Sequence, residues 1–154
     1  MAGRSAGLLL YKRVGAGLRV LLVHPGGPFW ARKDAGAWSI PKGEYADGEQ
    51  ARAAALREFT EETGHAPPDG ELLELGTVRQ RAGKEVTAWA VEGDFDVTTL
   101  ESNTFELAWP PRSGRTQTFP EVDRAAWFDE ETAREKINAA QTTFLDRLAE
   151  TLRP

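Results

Sequence analysis

Two short apolar runs open the chain. Residues 6–11 and 18–24 are rich in Leu and Val and are separated by Gly15-Ala16-Gly17, so they are expected as two strands of a β-hairpin. Pro25-Gly26-Gly27-Pro28 cannot continue a strand and opens a loop running to about Gly36. The pattern then becomes helical from Asp47 to Thr63. Asp47 is the expected N-cap, Gln50 completes a capping-box-like pair three residues on, and Gly64 is the expected stop. Residues 72–80 and 84–93 suggest a second hairpin around Arg81-Ala82-Gly83. Residues 105–109 form a further candidate strand ended by Pro110-Pro111, and residues 125–128 a short last one. Ile137, Ala140, Phe144, Leu145, Leu148 and Leu152 recur mostly at three- and four-residue intervals, which predicts one amphipathic helix over residues 130–152. Hairpins with one helix between them and another at the end predict an α/β fold, a mixed sheet sandwiched between helices.

Composition narrows this picture. With 154 residues, 40% of them hydrophobic, the chain supplies one sizeable core and is expected as a single domain. It has no cysteine, which excludes disulfides, thiolate metal sites and cysteine nucleophiles. No stretch is apolar for the roughly 18 residues a membrane span needs, and the first apolar run is too short and too soon charged for a signal peptide. A soluble, cytoplasmic protein with no membrane partner is expected. The formal charge of −5 argues against a broad basic surface for nucleic acid. Nothing in the sequence fixes the oligomeric state.

The charge is unevenly spread. Between Gly43 and Glu62 stand six acids (Glu44, Asp47, Glu49, Glu58, Glu61, Glu62) against two bases, Arg52 and Arg57. On a helix, Glu58, Glu61 and Glu62 fall within an arc of about 100°. Like charges at that spacing oppose each other by a few tenths of a kcal/mol per pair, so helix stability alone would not select them. A hard divalent cation removes the conflict, and Mg²⁺ prefers carboxylates, waters and substrate phosphates. Ala51, Ala54 and Ala55 continue this face with small residues that leave room for another backbone, while Leu56 and Phe59 project to a core-facing side. The natural partner is the preceding segment, residues 41–48, whose glycines allow close approach and whose carbonyls add oxygen ligands.

Gly43, five residues, Glu49, seven residues, then Arg57-Glu58-Phe59-Thr60-Glu61-Glu62-Thr63-Gly64 resembles the Nudix box, and the chain is identified on it as a Nudix hydrolase. All the fixed letters of the motif match. Phe59 suits the first bulky apolar position, and His65 departs from the aliphatic residue usual at the second. The resemblance implies the Nudix α/β/α sandwich with a mixed sheet and a Mg²⁺ cofactor, with Mn²⁺ as substitute. It implies direct metal ligation by Glu58 and Glu62, with Glu61 a direct or water-mediated ligand and the Lys42 carbonyl a main-chain one. Glu49 and Arg57 resemble the pair that ties loop to helix, with Gly43 and Gly64 completing the scaffold.

The chemistry implied is hydrolysis of a phosphoanhydride in a nucleoside diphosphate-linked small molecule. A cation on the diphosphate leaves no need for a protein nucleophile. Glu61, Glu62 and Glu121 are the candidate catalytic carboxylates. Glu121 holds a position similar to a late metal-binding or basic glutamate in dinucleoside polyphosphate hydrolases of the family, and Glu101 and Glu106 are weaker competitors. Trp38-Ser39-Ile40-Pro41-Lys42-Gly43 resembles the approach to the box in diadenosine and inositol polyphosphate hydrolases, which favours a dinucleoside polyphosphate. Trp30 is a candidate for stacking on a base, and Lys33, Arg112 and Arg115 for gripping phosphates. His24 and His65 are expected to be structural. A (d)NTP or nucleotide-sugar pyrophosphatase is the nearest alternative. A fold-sharing isomerase would need the missing cysteine, a non-catalytic binding module would not need the intact glutamate run, and an RNA 5′-end pyrophosphohydrolase would be expected to carry a basic strip.

Overall fold

The computed structural model describes residues 3–153. Its main sheet is built from β1 (Arg4–Val14), β2 (Gly17–Pro25), β3 (Lys42–Glu44), β4 (Leu73–Arg79), β5 (Glu85–Glu92) and β8 (Val122–Asp129). The strand order is β4-β5-β1-β2-β8, with β3 pairing β1. The sheet is mixed, because β1 runs parallel to β5 while its other pairings are antiparallel. Both expected hairpins are present. Val14 pairs with Gly17 across a turn in which Gly15 takes φ 61°, a conformation glycine adopts without a Cβ penalty.

Period-two alternation sends β1 to two cores. Leu8 and Leu10 pack with Leu21, Val91 and Phe59 of helix α1 (Ala51–Thr63). Leu9 and Tyr11 face the opposite way, onto Ile137, Phe144, Leu145 and Leu148 beside α2 (Glu130–Lys136) and α3 (Thr142–Thr151). Helices thus cover both faces of the sheet. Among the described residues, no helix is long and apolar enough to cross a membrane.

Four expectations are corrected. The glutamate helix starts at Ala51 rather than Asp47; Gln50 is extended at the N-cap position and makes no side-chain cap bond. Asp47 is drawn away by an ion pair with Arg4. Lys42–Glu44, read from sequence as loop, is a short strand pairing Ser5, Ala6 and Gly7. The single C-terminal helix is two. Ile137 is extended at φ −74° and ψ 150° and bridges Trp38, and Asn138 N–H donates to Trp38 O at 2.7 Å. Finally, β6 (Thr104–Ala108) pairs with an unanticipated β7 (Thr116–Pro120) in a separate two-stranded sheet. Its exposed second strand, Thr-Gln-Thr-Phe-Pro, carries too little apolar periodicity to announce itself.

Candidate active site

The glutamates stand at the C-terminal half of α1, against β3. Ala54 and Ala55 are fully buried with Ala6, and the half-buried Tyr45 packs against them, which lets the helix approach β1 and the segment after β3 closely. At Gly43 the approach is tighter still: a Cβ there would lie 1.8 Å from Glu58 Oε1. Gly64 ends the helix in the left-handed conformation (φ 81°), its N–H donating to Thr60 O at 2.8 Å.

Arg57 organises the cluster. Its Nε and a terminal nitrogen donate to the two oxygens of Glu49 at 2.8 and 3.0 Å, and its other terminal nitrogen donates to Glu61 at 2.7 Å and Glu58 at 3.4 Å. The fork also reaches Glu44 O at 3.5 Å, so one side chain spans helix and loop. The bond from Arg57 holds the Glu49 carboxyl below its ordinary pKa. Glu62 faces the other way, accepting from the Lys42 backbone N–H at 3.2 Å.

Charge at this end of the helix is poorly compensated. Burial, together with the neighbouring Glu61, pushes the Glu58 carboxyl up to about 7. Burial and repulsion from Glu58 and Glu121 push Glu62 up to about 8 against the opposing pull of Lys42. The Lys42 ammonium is itself pushed down, first by burial and then by Lys84. As the side chains stand, no three His, Asp or Glu groups among the described residues converge closely enough to hold an ion. Glu61 is turned onto Arg57 and Glu62 onto Lys42. The all-oxygen donor set and the raised carboxyls of Glu58 and Glu62 nevertheless fit a hard divalent cation, with Glu61 the third carboxylate on this helix face.

Beside Glu62 opens a pocket of about 280 Å³ whose lining includes Lys42, Glu121, Trp30, Trp38, Gln80 and Asn138. Glu121 lies far from α1 in sequence but is brought to it by backbone bonds. Its N–H donates to Asn103 O at 2.8 Å, and Asn103 N–H donates to Glu61 O at 2.8 Å. Glu101 and Glu106 do not line the pocket.

Trp30, 40% exposed, stands in the loop after β2 with the Lys33 ammonium 5.1 Å from its ring centre. His24 anchors this loop. It is fully buried, with Nδ1 2.8 Å from Asp123 Oδ1 and Nε2 2.7 Å from Lys33 O. Arg112 and Arg115 are elsewhere: both are exposed in the β6–β7 turn, and neither lines the pocket. Sequence reasoning passed over Ser39, Gln80, Asn138 and Gln141, which form the pocket's polar wall. One signal was available, since Gln141 is a polar residue four positions from Ile137 and Leu145, on an otherwise apolar stripe.

The comparisons with known proteins agree with this geometry. The model of the NUDIX domain family matches residues 1–148. The chain belongs to the NUDIX family. Family members in general act with divalent metal ions. An RNA pyrophosphohydrolase of Dinoroseobacter shibae is 57% identical over 37 residues, a stretch covering 24% of this chain and only 23% of that relative. Among solved structures, a Caenorhabditis elegans Ap4A hydrolase binary complex superposes with a TM-score of 0.68 at 22% identity, covering 96% of this chain and 97% of the other. The NUDIX domain of Shewanella oneidensis NrtR, complexed with ADP ribose, gives 0.66 at 16% identity, covering 99% and 90%. These likenesses show the fold, the α/β/α sandwich.

Proposed function

We propose that these residues form one domain and that it is a cytoplasmic hydrolase that cleaves a phosphoanhydride bond in a nucleoside diphosphate-linked substrate, a dinucleoside polyphosphate, with Mg²⁺ and with Mn²⁺ as substitute. The observation that carries the reading is Glu62, whose carboxyl is raised like that of Glu58 on the same helix, lining one pocket with Glu121, Lys42 and the exposed Trp30. The Ap4A hydrolase and ADP-ribose neighbours support a nucleotide ligand.

Glu58, Glu62, the Lys42 carbonyl and, after rotation, Glu61 would hold the ion. A divalent cation there neutralises phosphate charge and acidifies water. The protein's own work is positioning and proton transfer. Arg57 fixes the helix against the Glu49 loop, so the carboxylates are oriented before substrate arrives. Glu62 or Glu121 accepts a proton from the attacking water at a carboxylate oxygen. The water oxygen bonds to phosphorus while the bridging P–O bond breaks, and the leaving phosphate departs with that electron pair. Trp30 stacks on the base, and Lys33, held beside it, meets a phosphate by a charge-assisted bond. Arg112 and Arg115 have no contact with this pocket and carry no step.

The test is a panel of dinucleoside polyphosphates, nucleoside triphosphates, nucleotide sugars and 5′-triphosphate RNA, with products identified by chromatography. RNA belongs in it because the 57% identical stretch comes from an RNA pyrophosphohydrolase. Cleavage of a dinucleoside polyphosphate to mononucleotides is expected. Absence of any phosphoanhydride cleavage with Mg²⁺ or Mn²⁺ sinks the reading.

A further inference from the structure

The hydrolytic reading leaves one wall of the pocket unused. Gln141 is fully buried, and a backbone group sets the orientation of its amide: Ile40 N–H donates to Gln141 Oε1 at 3.1 Å. A backbone N–H can only donate, so the carbonyl oxygen must take that side and Nε2 the other. Nε2 then donates to Ser39 Oγ at 3.0 Å and to Gln80 Oε1 at 2.9 Å, while the Ser39 hydroxyl donates to Ile40 O at 2.7 Å. The relay ends on Gln80. Its Oε1 is committed as an acceptor, and no protein acceptor among the described residues takes its Nε2. Asn138 repeats the arrangement independently, because its Oδ1 accepts from Ala140 N–H at 3.0 Å and its Nδ2 is left without a partner among the described residues. Both residues line the pocket. Neither amide nitrogen is sealed away from solvent without a bond, since the one buried side-chain polar atom lacking a partner among the described residues is Ser5 Oγ.

We propose that Gln80 and Asn138 read the nucleobase, and that the pocket takes a 6-oxopurine (guanine or hypoxanthine) in preference to adenine. This rests on the nucleotide reading above and deepens it. One edge of guanine presents O6 and N7, two acceptors, whereas the same edge of adenine presents N7 beside an amino donor. Two NH₂ groups on pocket-lining residues, both without a protein acceptor among the described residues, pair with the first edge. Against adenine, one donor faces another, and both lose their water without gaining a bond. Among the described residues the side-chain carboxylates lining the pocket are Glu62 and Glu121, which the proposed function commits to the phosphates and the proton, so they do not compete for the base. Trp30 does not discriminate, since every base has a face to stack. At about 280 Å³ the pocket is near the lower bound for ligand sites, which suits one nucleoside rather than both halves of a dinucleotide.

The test is binding of nucleoside monophosphates, which contain no phosphoanhydride and so are not turned over. Equilibrium dialysis of GMP, IMP and AMP against the full chain in Mg²⁺ should give GMP and IMP at least tenfold tighter than AMP. Gln80→Glu keeps the oxygen that Gln141 needs and turns the unpartnered NH₂ into an acceptor, so the GMP-to-AMP affinity ratio should fall at least tenfold. Reading a ratio cancels the general effect of the added charge. Asn138→Asp, which keeps the oxygen that Ala140 needs, should move the ratio the same way and serves if the first variant melts below the wild type. Equal affinity of the wild type for GMP and AMP overturns the proposal, as does an unchanged ratio in a folded variant. Hydrolysis without base preference in the substrate panel would leave the function standing and this inference refuted.

Discussion

Raising the pH should destabilise the metal-free protein, and Mg²⁺ should abolish most of that loss. Glu58 and Glu62 have ordinary values of 4.5 and stand at about 7 and about 8 in the folded chain. A carboxyl raised on folding contributes stability that is fully present below the unfolded value and is lost as the pH climbs through the folded one. The window therefore runs from about 4.5 to about 8, with the steepest decline in its middle, below about 7, where both carboxyls hold their protons only in the folded chain. At about 1.4 kcal/mol per pKa unit each displacement is on the order of 3–5 kcal/mol, and because the two repel each other the sum is not simply additive. For a chain of this size, ~2–4 °C per kcal/mol makes the expected fall in melting temperature on the order of 10 °C. Metal needs the ionised carboxylates, so the thermal shift produced by millimolar Mg²⁺ should be small near pH 5.5 and largest near pH 8.5, as order-of-magnitude settings for the scan. The assay is a melting series across pH with EDTA or Mg²⁺, repeated on Glu58→Gln and Glu62→Gln. A Mg²⁺ shift of constant size at every pH, or glutamine variants with the same pH profile as the wild type, would refute the argument.

Two further outcomes separate chemistry from scaffold. Glu62→Gln should reduce turnover by orders of magnitude while the metal-free protein melts at the same or a higher temperature above neutral pH; Phe59→Ala, at a site 1% exposed, should cost ~3–5 kcal/mol and reduce activity only in proportion to the folded fraction. Near wild-type turnover per folded molecule in Glu62→Gln would rule out its place in the reaction. Trp30→Ala should raise KM by the equivalent of ~1–3 kcal/mol of stacking with little change in melting temperature. A sharp fall in melting temperature would instead make Trp30 a packing residue.

What could be read from the chain follows the locality of each signal. The β1–β2 and β4–β5 hairpins and the glutamate helix declare themselves through period, glycines and motif spacing, all within short windows. The misreadings arise where a distant partner decides. Asp47 has the composition of an N-cap, but Arg4 competes for its carboxylate from the other end of β1. The apolar stripe of residues 130–152 is continuous, yet the break at Ile137 is imposed by Trp38, about a hundred residues earlier. Of the proposed phosphate grips, Lys33 stands beside Trp30 while Arg112 and Arg115 are exposed in the turn between β6 and β7, and no local pattern distinguishes a cation in one loop from a cation in another.

The position of Glu121 has a physical cause that joins these pieces. A helix leaves its last carbonyls without intrahelical donors. At the end of α1 those of Glu61 and Thr63 are taken by the N–H groups of Asn103 and Glu101, at 2.8 and 2.9 Å. The segment docked there presents Asn103 O to the N–H of Glu121, whose own carbonyl accepts from Gly26 N–H at 2.9 Å. Three backbone bonds, through Asn103 and Glu121, therefore link the end of the glutamate helix to the first residues of the loop that carries Trp30. That linkage is close-packed, since a Cβ on Gly26 would fall 2.0 Å from Pro120 O. The same backbone bonds that cap α1 thus set the distance between its carboxylates and Glu121. A shift at the helix end would be felt at once by both the proton acceptor and the aromatic loop.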